Sequence, residues 1–60
     1  MIKVSVQDFN SNWETSEFET RQQVWDYIHS LDMVNAIEIE GVEFENSIPT
    51  SDELTEWVNS

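Results

Sequence analysis

Ala36-Ile37-Glu38-Ile39-Glu40-Gly41-Val42-Glu43-Phe44-Glu45 is the stretch whose reading decides the fold. Ile37 and Ile39 alternate with Glu38 and Glu40, Val42 and Phe44 alternate with Glu43 and Glu45, and the phase slips by one at Glu40-Gly41. Alternation of this kind is the period of a half-buried strand. A two-residue hairpin turn at Glu40-Gly41 explains the slip, because it pairs Ile39 with Val42 and Ile37 with Phe44 and puts all four on one face. The rival is a single long strand bulged at Gly41.

Outward from this segment, Ile2, Val4 and Val6 alternate with Lys3, Ser5 and Gln7 and predict a first strand. Asn10-Ser11-Asn12 is turn chemistry, since these side chains satisfy neighbouring backbone groups. Trp13 to Glu19 then offers Trp13, Thr15 and Phe18 as a second strand antiparallel to the first. Thr20-Arg21-Gln22-Gln23 fits a capping box and opens a helix with an apolar face from about residue 21 to 33, carried by Val24, Ile28 and Leu31 with Tyr27 beside them. Asn46 to Pro49 reads as a loop. Thr50-Ser51-Asp52-Glu53 is a second capping box, before a short helix with Leu54, Trp57 and Val58 on its apolar side. The expected order is β-β-α-β-β-α. Residues 1–60 then form a single α+β domain, an antiparallel sheet packed against two helices.

The composition tests whether such a domain folds at all. Thirteen Asp and Glu against two Lys and Arg give a net charge of −11, and high charge is a mark of disorder. Against disorder stand 38% hydrophobic residues, 12% aromatics and a periodic apolar pattern. A domain of this size is marginal, and self-repulsion among its acids adds a cost that salt relieves. Formation of a homodimer would cover more apolar surface.

The charge also excludes functions. With Lys3 and Arg21 as the only Lys and Arg, the chain cannot neutralise a phosphate backbone, so direct nucleic-acid binding is not expected. Adsorption to an anionic membrane fails for the same reason. No apolar run approaches a membrane span, and no basic region followed by an apolar stretch marks a signal peptide. Zero cysteines leave neither a disulfide framework nor a thiolate metal site, and a cytoplasmic setting is the expectation.

No catalytic constellation is expected either. His29 is the one histidine, flanked by Asp26 and Asp32, and reads as a surface or boundary residue; no serine has the context of a nucleophile elbow. One glycine cannot shape a phosphate loop. The acids lack the spacing of a calcium-binding loop, so no metal site and no cofactor is expected.

The informative question is which acids stability explains. Asp52 and Glu53 lie in the first turn of a helix, where the dipole favours anions. Glu17 and Glu19 lie just ahead of the other helix, and Asp26 and Asp32 belong to a solvated helix face. Glu38, Glu40, Glu43 and Glu45 have no such reason. In a hairpin Glu38 and Glu43 would stand directly opposite, and like charges so placed destabilise a sheet. No Lys or Arg falls within residues 36–45. A broken local rule with no visible compensation points to a functional site; deterrence of edge-to-edge strand pairing accounts for one or two such acids, not four.

Carboxylates on a strand recur about every 6.6–6.8 Å, of the order of successive phosphates along a nucleic-acid strand. At 7.1 kDa the domain would expose about 4,100 Å². In size and charge the chain resembles the compact acidic inhibitors that phages and mobile elements direct against host nucleases, the anti-restriction, anti-CRISPR and DNA-repair-inhibitor proteins. No motif ties it to any one family. That resemblance implies a non-enzymatic DNA mimic whose partner is a basic nucleic-acid-binding protein such as a nuclease. The partner-binding residues would be Glu38, Glu40, Glu43 and Glu45, with Glu17, Glu19, Asp26 and Trp25 beside them. The competing readings are a structural adaptor that binds through exposed aromatics such as Trp13 or Trp25, an antitoxin or immunity protein, and halophilic adaptation, in which acidity is only solvation.

Overall fold

In a computed structural model describing residues 1–60, the chain runs β1 (Ile2–Asp8), β2 (Trp13–Phe18), α1 (Arg21–His29), β3 (Val34–Ile39) and α2 (Ser51–Val58). The three strands form one antiparallel sheet in the order β2-β1-β3. The α+β class and the packing of one antiparallel sheet against two helices therefore hold. The element order is β-β-α-β-α, because the second hairpin stops almost as soon as it starts.

The first hairpin is complete. β1 and β2 pair from Ile2 opposite Phe18 to Gln7 opposite Trp13. Its loop is organised by Asp8, whose Oδ1 accepts from the amides of Asn10 (2.9 Å) and Asn12 (3.0 Å). The Asp8 carbonyl accepts from the Ser11 amide at 3.1 Å, and Ser11 takes the left-handed conformation, φ 66°, that turns the chain back.

The second hairpin forms its turn and one bridge. The Val42 amide donates to the Ile39 carbonyl at 3.0 Å, Gly41 sits at φ 78°, and Ile39 pairs with Val42 as expected. No fourth strand follows, and Ile37 does not meet Phe44. The Ile37 amide donates instead to the carbonyl of Ser47 at 2.9 Å. The turn geometry explains this. Gly41 has positive φ but Glu40 does not, which is the type II pattern, and that turn splays two twisted strands rather than continuing them. Residues 43–48 therefore leave the sheet as a loop, and the alternative of one long bulged strand does not occur.

Alternation along the strands sets the two faces of the sheet. Ile2, Val4, Val6, Phe18, Ile37 and Ile39 face the helices, where Val4, Val6, Ile37 and Ile39 join Val24, Ile28 and Leu54 in one buried cluster. Phe18 meets Tyr27 with ring centroids 4.9 Å apart. Trp13 and Thr15 fall on the face opposite Phe18, because an odd separation along a strand reverses direction.

Both capping boxes form. Thr20 and Gln23 reciprocate at the start of α1, and Thr50 and Glu53 do so at α2. α1 is shorter than its apolar pattern suggests. It ends at His29, with the Ser30 Oγ donating to the Tyr27 carbonyl at 2.7 Å. Leu31 still packs against the core, and Met33, at φ 56°, redirects the chain into β3. No helix is long and apolar enough to cross a membrane.

Candidate functional site

The face of the sheet away from the helices is open, and Glu17 and Glu38 stand on it. Its rows are Trp13, Thr15 and Glu17 on β2, Lys3, Ser5 and Gln7 on β1, and Ala36 and Glu38 on β3. Because the loop after Gly41 leaves the sheet, it rises beside this face and closes one side of a groove of about 980 Å³. Glu38, Glu40, Glu43 and Glu45 all line that groove, with Trp13, Thr15, Ser5 and Lys3. All four acids are exposed.

The geometry of the acidic strip differs from an unbroken ladder. Glu38 stands opposite Ser5, not Glu43, because pairing ends at Val42. The spacing of alternate strand residues therefore applies to Glu38 and Glu40 alone, while Glu43 and Glu45 reach the groove from the loop. The strip also has a cation the local sequence does not show. Lys3 pairs with Glu17, and its carbonyl accepts from the Glu40 amide at 3.0 Å. Lys3 thus lies on β1 between the positions of Glu17 and Glu40.

One acid holds the loop in place. Glu53 Oε1 accepts from the Thr50 amide and from Asn46 Nδ2, each at 3.2 Å, and so ties the loop to the start of α2. The Thr50 amide, aided by Asn46, the Glu45 backbone and the Thr50 hydroxyl and opposed by desolvation, holds the Glu53 carboxyl below its ordinary value. Glu53 thus ties the end of the loop, at Glu45 and Asn46, to the start of α2.

The remaining expected site residues lie elsewhere. Glu17 is on the open face but outside the groove lining. Glu19 is exposed ahead of α1, where its amide donates to Gln23 Oε1 at 2.9 Å. Asp26 is exposed on α1 and accepts from Gln22 Nε2 at 3.2 Å. Trp25 is not a free anchor: it is half-buried, donates from Nε1 to Thr55 Oγ1 at 3.2 Å, and stacks on His29 at 3.8 Å. Trp13, by contrast, is 46% exposed and stands in the groove.

Trp25 belongs to a second stripe of α1 that the apolar pattern hides. Arg21, Trp25 and His29, each four residues apart, face α2. Arg21 Nη1 donates to the carbonyls of Trp57 (2.8 Å) and Ser60 (2.9 Å), and its guanidinium lies 5.2 Å from the centre of the Trp57 ring. His29 Nε2 lies 2.9 Å from Ser51 Oγ. The matching spacing of Ser51 and Thr55 is the one sequence signal that could have found this polar seam.

No three His, Asp or Glu side chains converge as a metal site. No protein-family model matches the chain, and neither the curated proteins nor the solved structures include a significant match to it.

Proposed function

We propose that this is an acidic binding protein whose binding role needs no catalysis, a nucleic-acid mimic that occupies the cationic cleft of a nucleic-acid-binding enzyme. An inhibitor of the anti-CRISPR or anti-restriction type, directed at a nuclease in the cytoplasm of a host cell, is the most specific form of the reading. The observation that carries it is the convergence of Glu38, Glu40, Glu43 and Glu45 on one open groove of the helix-free face. Of the two Lys and Arg residues, Arg21 is engaged by the carbonyl oxygens of Trp57 and Ser60, which leaves Lys3 alone near the strip. A surface of 4248 Å² carrying a net charge of −11 has one net negative charge per about 390 Å². Such a field speeds encounter with a basic partner and makes binding salt-dependent. The cross-section of 22 × 21 Å is of the order of a duplex's width.

A second reading rests on Trp13, 46% exposed in the groove, and Phe9, 62% exposed in the adjoining loop. Trp is enriched at binding hot spots, and an adaptor or immunity-type contact would be built on such residues. A pull-down from host lysate at low and high salt, repeated with E38K/E43K and with W13A, separates the two. Mimicry gives a basic nucleic-acid enzyme that elutes with salt, is displaced by DNA or guide RNA, and is lost with E38K/E43K. Binding that survives E38K/E43K and high salt but fails with W13A would overturn it.

A further inference from the structure

His29 and Ser51 form a pair that the binding function does not use. His29 Nδ1 lies 2.9 Å from the carbonyl oxygen of Trp25, and Nε2 lies 2.9 Å from Ser51 Oγ. A carbonyl only accepts, so Nδ1 carries a hydrogen. In the neutral imidazole Nε2 is then the bare acceptor, and the Ser51 hydroxyl must donate to it. This is the arrangement of a hydroxyl nucleophile with a general base oriented by a third group, here a backbone carbonyl. The ring is further held by stacking on Trp25, at 3.8 Å and 18°. Both residues are exposed.

Ser51 is also the first residue of α2. Thr50 Oγ1 takes the Glu53 amide and the Thr50 carbonyl takes the Leu54 amide. The amides of Ser51 and Asp52, in the first turn, have no intrahelical acceptor and are free to donate to a developing oxyanion. The geometry points to Ser51 as an acyl-acceptor site, activated by His29. Ser51 Oγ attacks the carbonyl carbon of an ester as its proton passes to His29 Nε2. The new Oγ–C bond forms, the bond from carbon to the leaving oxygen breaks, and the imidazolium returns the proton to that oxygen. A net charge of −11 repels anionic donors such as acyl phosphates, so the substrate class is an uncharged or cationic activated ester.

The test is incubation of the full chain with p-nitrophenyl acetate, a neutral activated ester, followed by mass mapping of the acetyl group and timing of nitrophenolate release. Acetylation of Ser51, slowed at least roughly tenfold in H29Q and absent in S51A, is the expected result. Amide spectra of both variants establish that they remain folded. Release that depends on His29 but is unchanged in S51A would overturn the proposal, since imidazole would then be the nucleophile. Acetylation confined to Lys3 or the amino terminus, or no release above buffer, would overturn it equally. These outcomes are independent of the acidic groove, which lies on the other side of the sheet.

Discussion

Two hairpin turns in this chain begin with similar promise and end differently. The turn after Asp8 leads into a β1–β2 pairing that runs the length of both strands, whereas the turn at Glu40-Gly41 yields one bridge and then releases the chain. Asp8 gathers two loop amides on one carboxylate oxygen, and Ser11 takes the left-handed conformation that suits the strand twist. At Glu40-Gly41 only the glycine adopts positive φ. Continuing the second hairpin would also set Glu43 against Glu38. Local geometry and charge both oppose it, and the released segment becomes the wall of the groove. The acids that make the second hairpin a poor one are therefore the acids that line the candidate site.

The largest effect is expected where the successful turn is broken. D8A removes the acceptor of two loop amides and should lower stability by about 1–2 kcal/mol, a large share of what a domain of this size has. D8N, which keeps an acceptor oxygen, should retain much of it. Denaturant unfolding of the three proteins checks this. Equal loss in D8A and D8N would show that the charge, not the acceptor geometry, organises the loop.

A smaller effect is expected in the opposite direction at the failed turn. E43K would place Lys rather than Glu opposite Glu38 in an extended hairpin and should favour zipping of residues 43–44 onto β3, with a gain of about 0.2–1 kcal/mol. Cross-strand proton contacts between Glu38 and position 43 would report it. E40N creates the Asn-Gly turn that matches strand twist. Alone it should extend the pairing with a net change of only a few tenths of a kcal/mol, because zipping then opposes Glu38 to Glu43. With E43K the gains should exceed their sum, as expected of two changes that act on one structure. Strict additivity would separate turn type from charge as causes.

The same contrast explains what the sequence disclosed. β1, the first hairpin and both helix starts rest on interactions within a few residues, such as Thr20 with Gln23, and local patterns report them. The Glu40-Gly41 turn was legible, but its type was not, because that depends on the backbone angle of Glu40. Four acids of the site were legible as an anomaly of the 36–45 segment. Lys3 among them was not, since only the β1–β3 register brings it there. Trp25 looked like a candidate anchor because it lies off the apolar stripe, and its partner Thr55 is thirty residues away. The His29–Ser51 pair was hidden for the same reason.

The smallest effect distinguishes the two helix caps, which differ in one respect. Gln23 at α1 is neutral at every pH, whereas Glu53 at α2 titrates. Hydrogen bonding from the Thr50 amide holds the Glu53 carboxyl below its ordinary value, so it binds its proton less readily folded than unfolded. Its contribution is present above the ordinary glutamate range, about pH 4.3, and is lost as pH falls through the lowered folded value. Acidification also relieves the repulsion of the whole acidic chain, which shifts both caps alike. The difference between them within one molecule cancels that common change. Amide exchange at Thr50 and Glu53 should therefore accelerate relative to Thr20 and Gln23 below about pH 4, and the loop of Glu43 and Glu45 should loosen with it. E53Q should remove the difference by making the second cap a copy of the first. Two caps that lose protection together in the parent chain would show that Glu53 does not hold the groove wall.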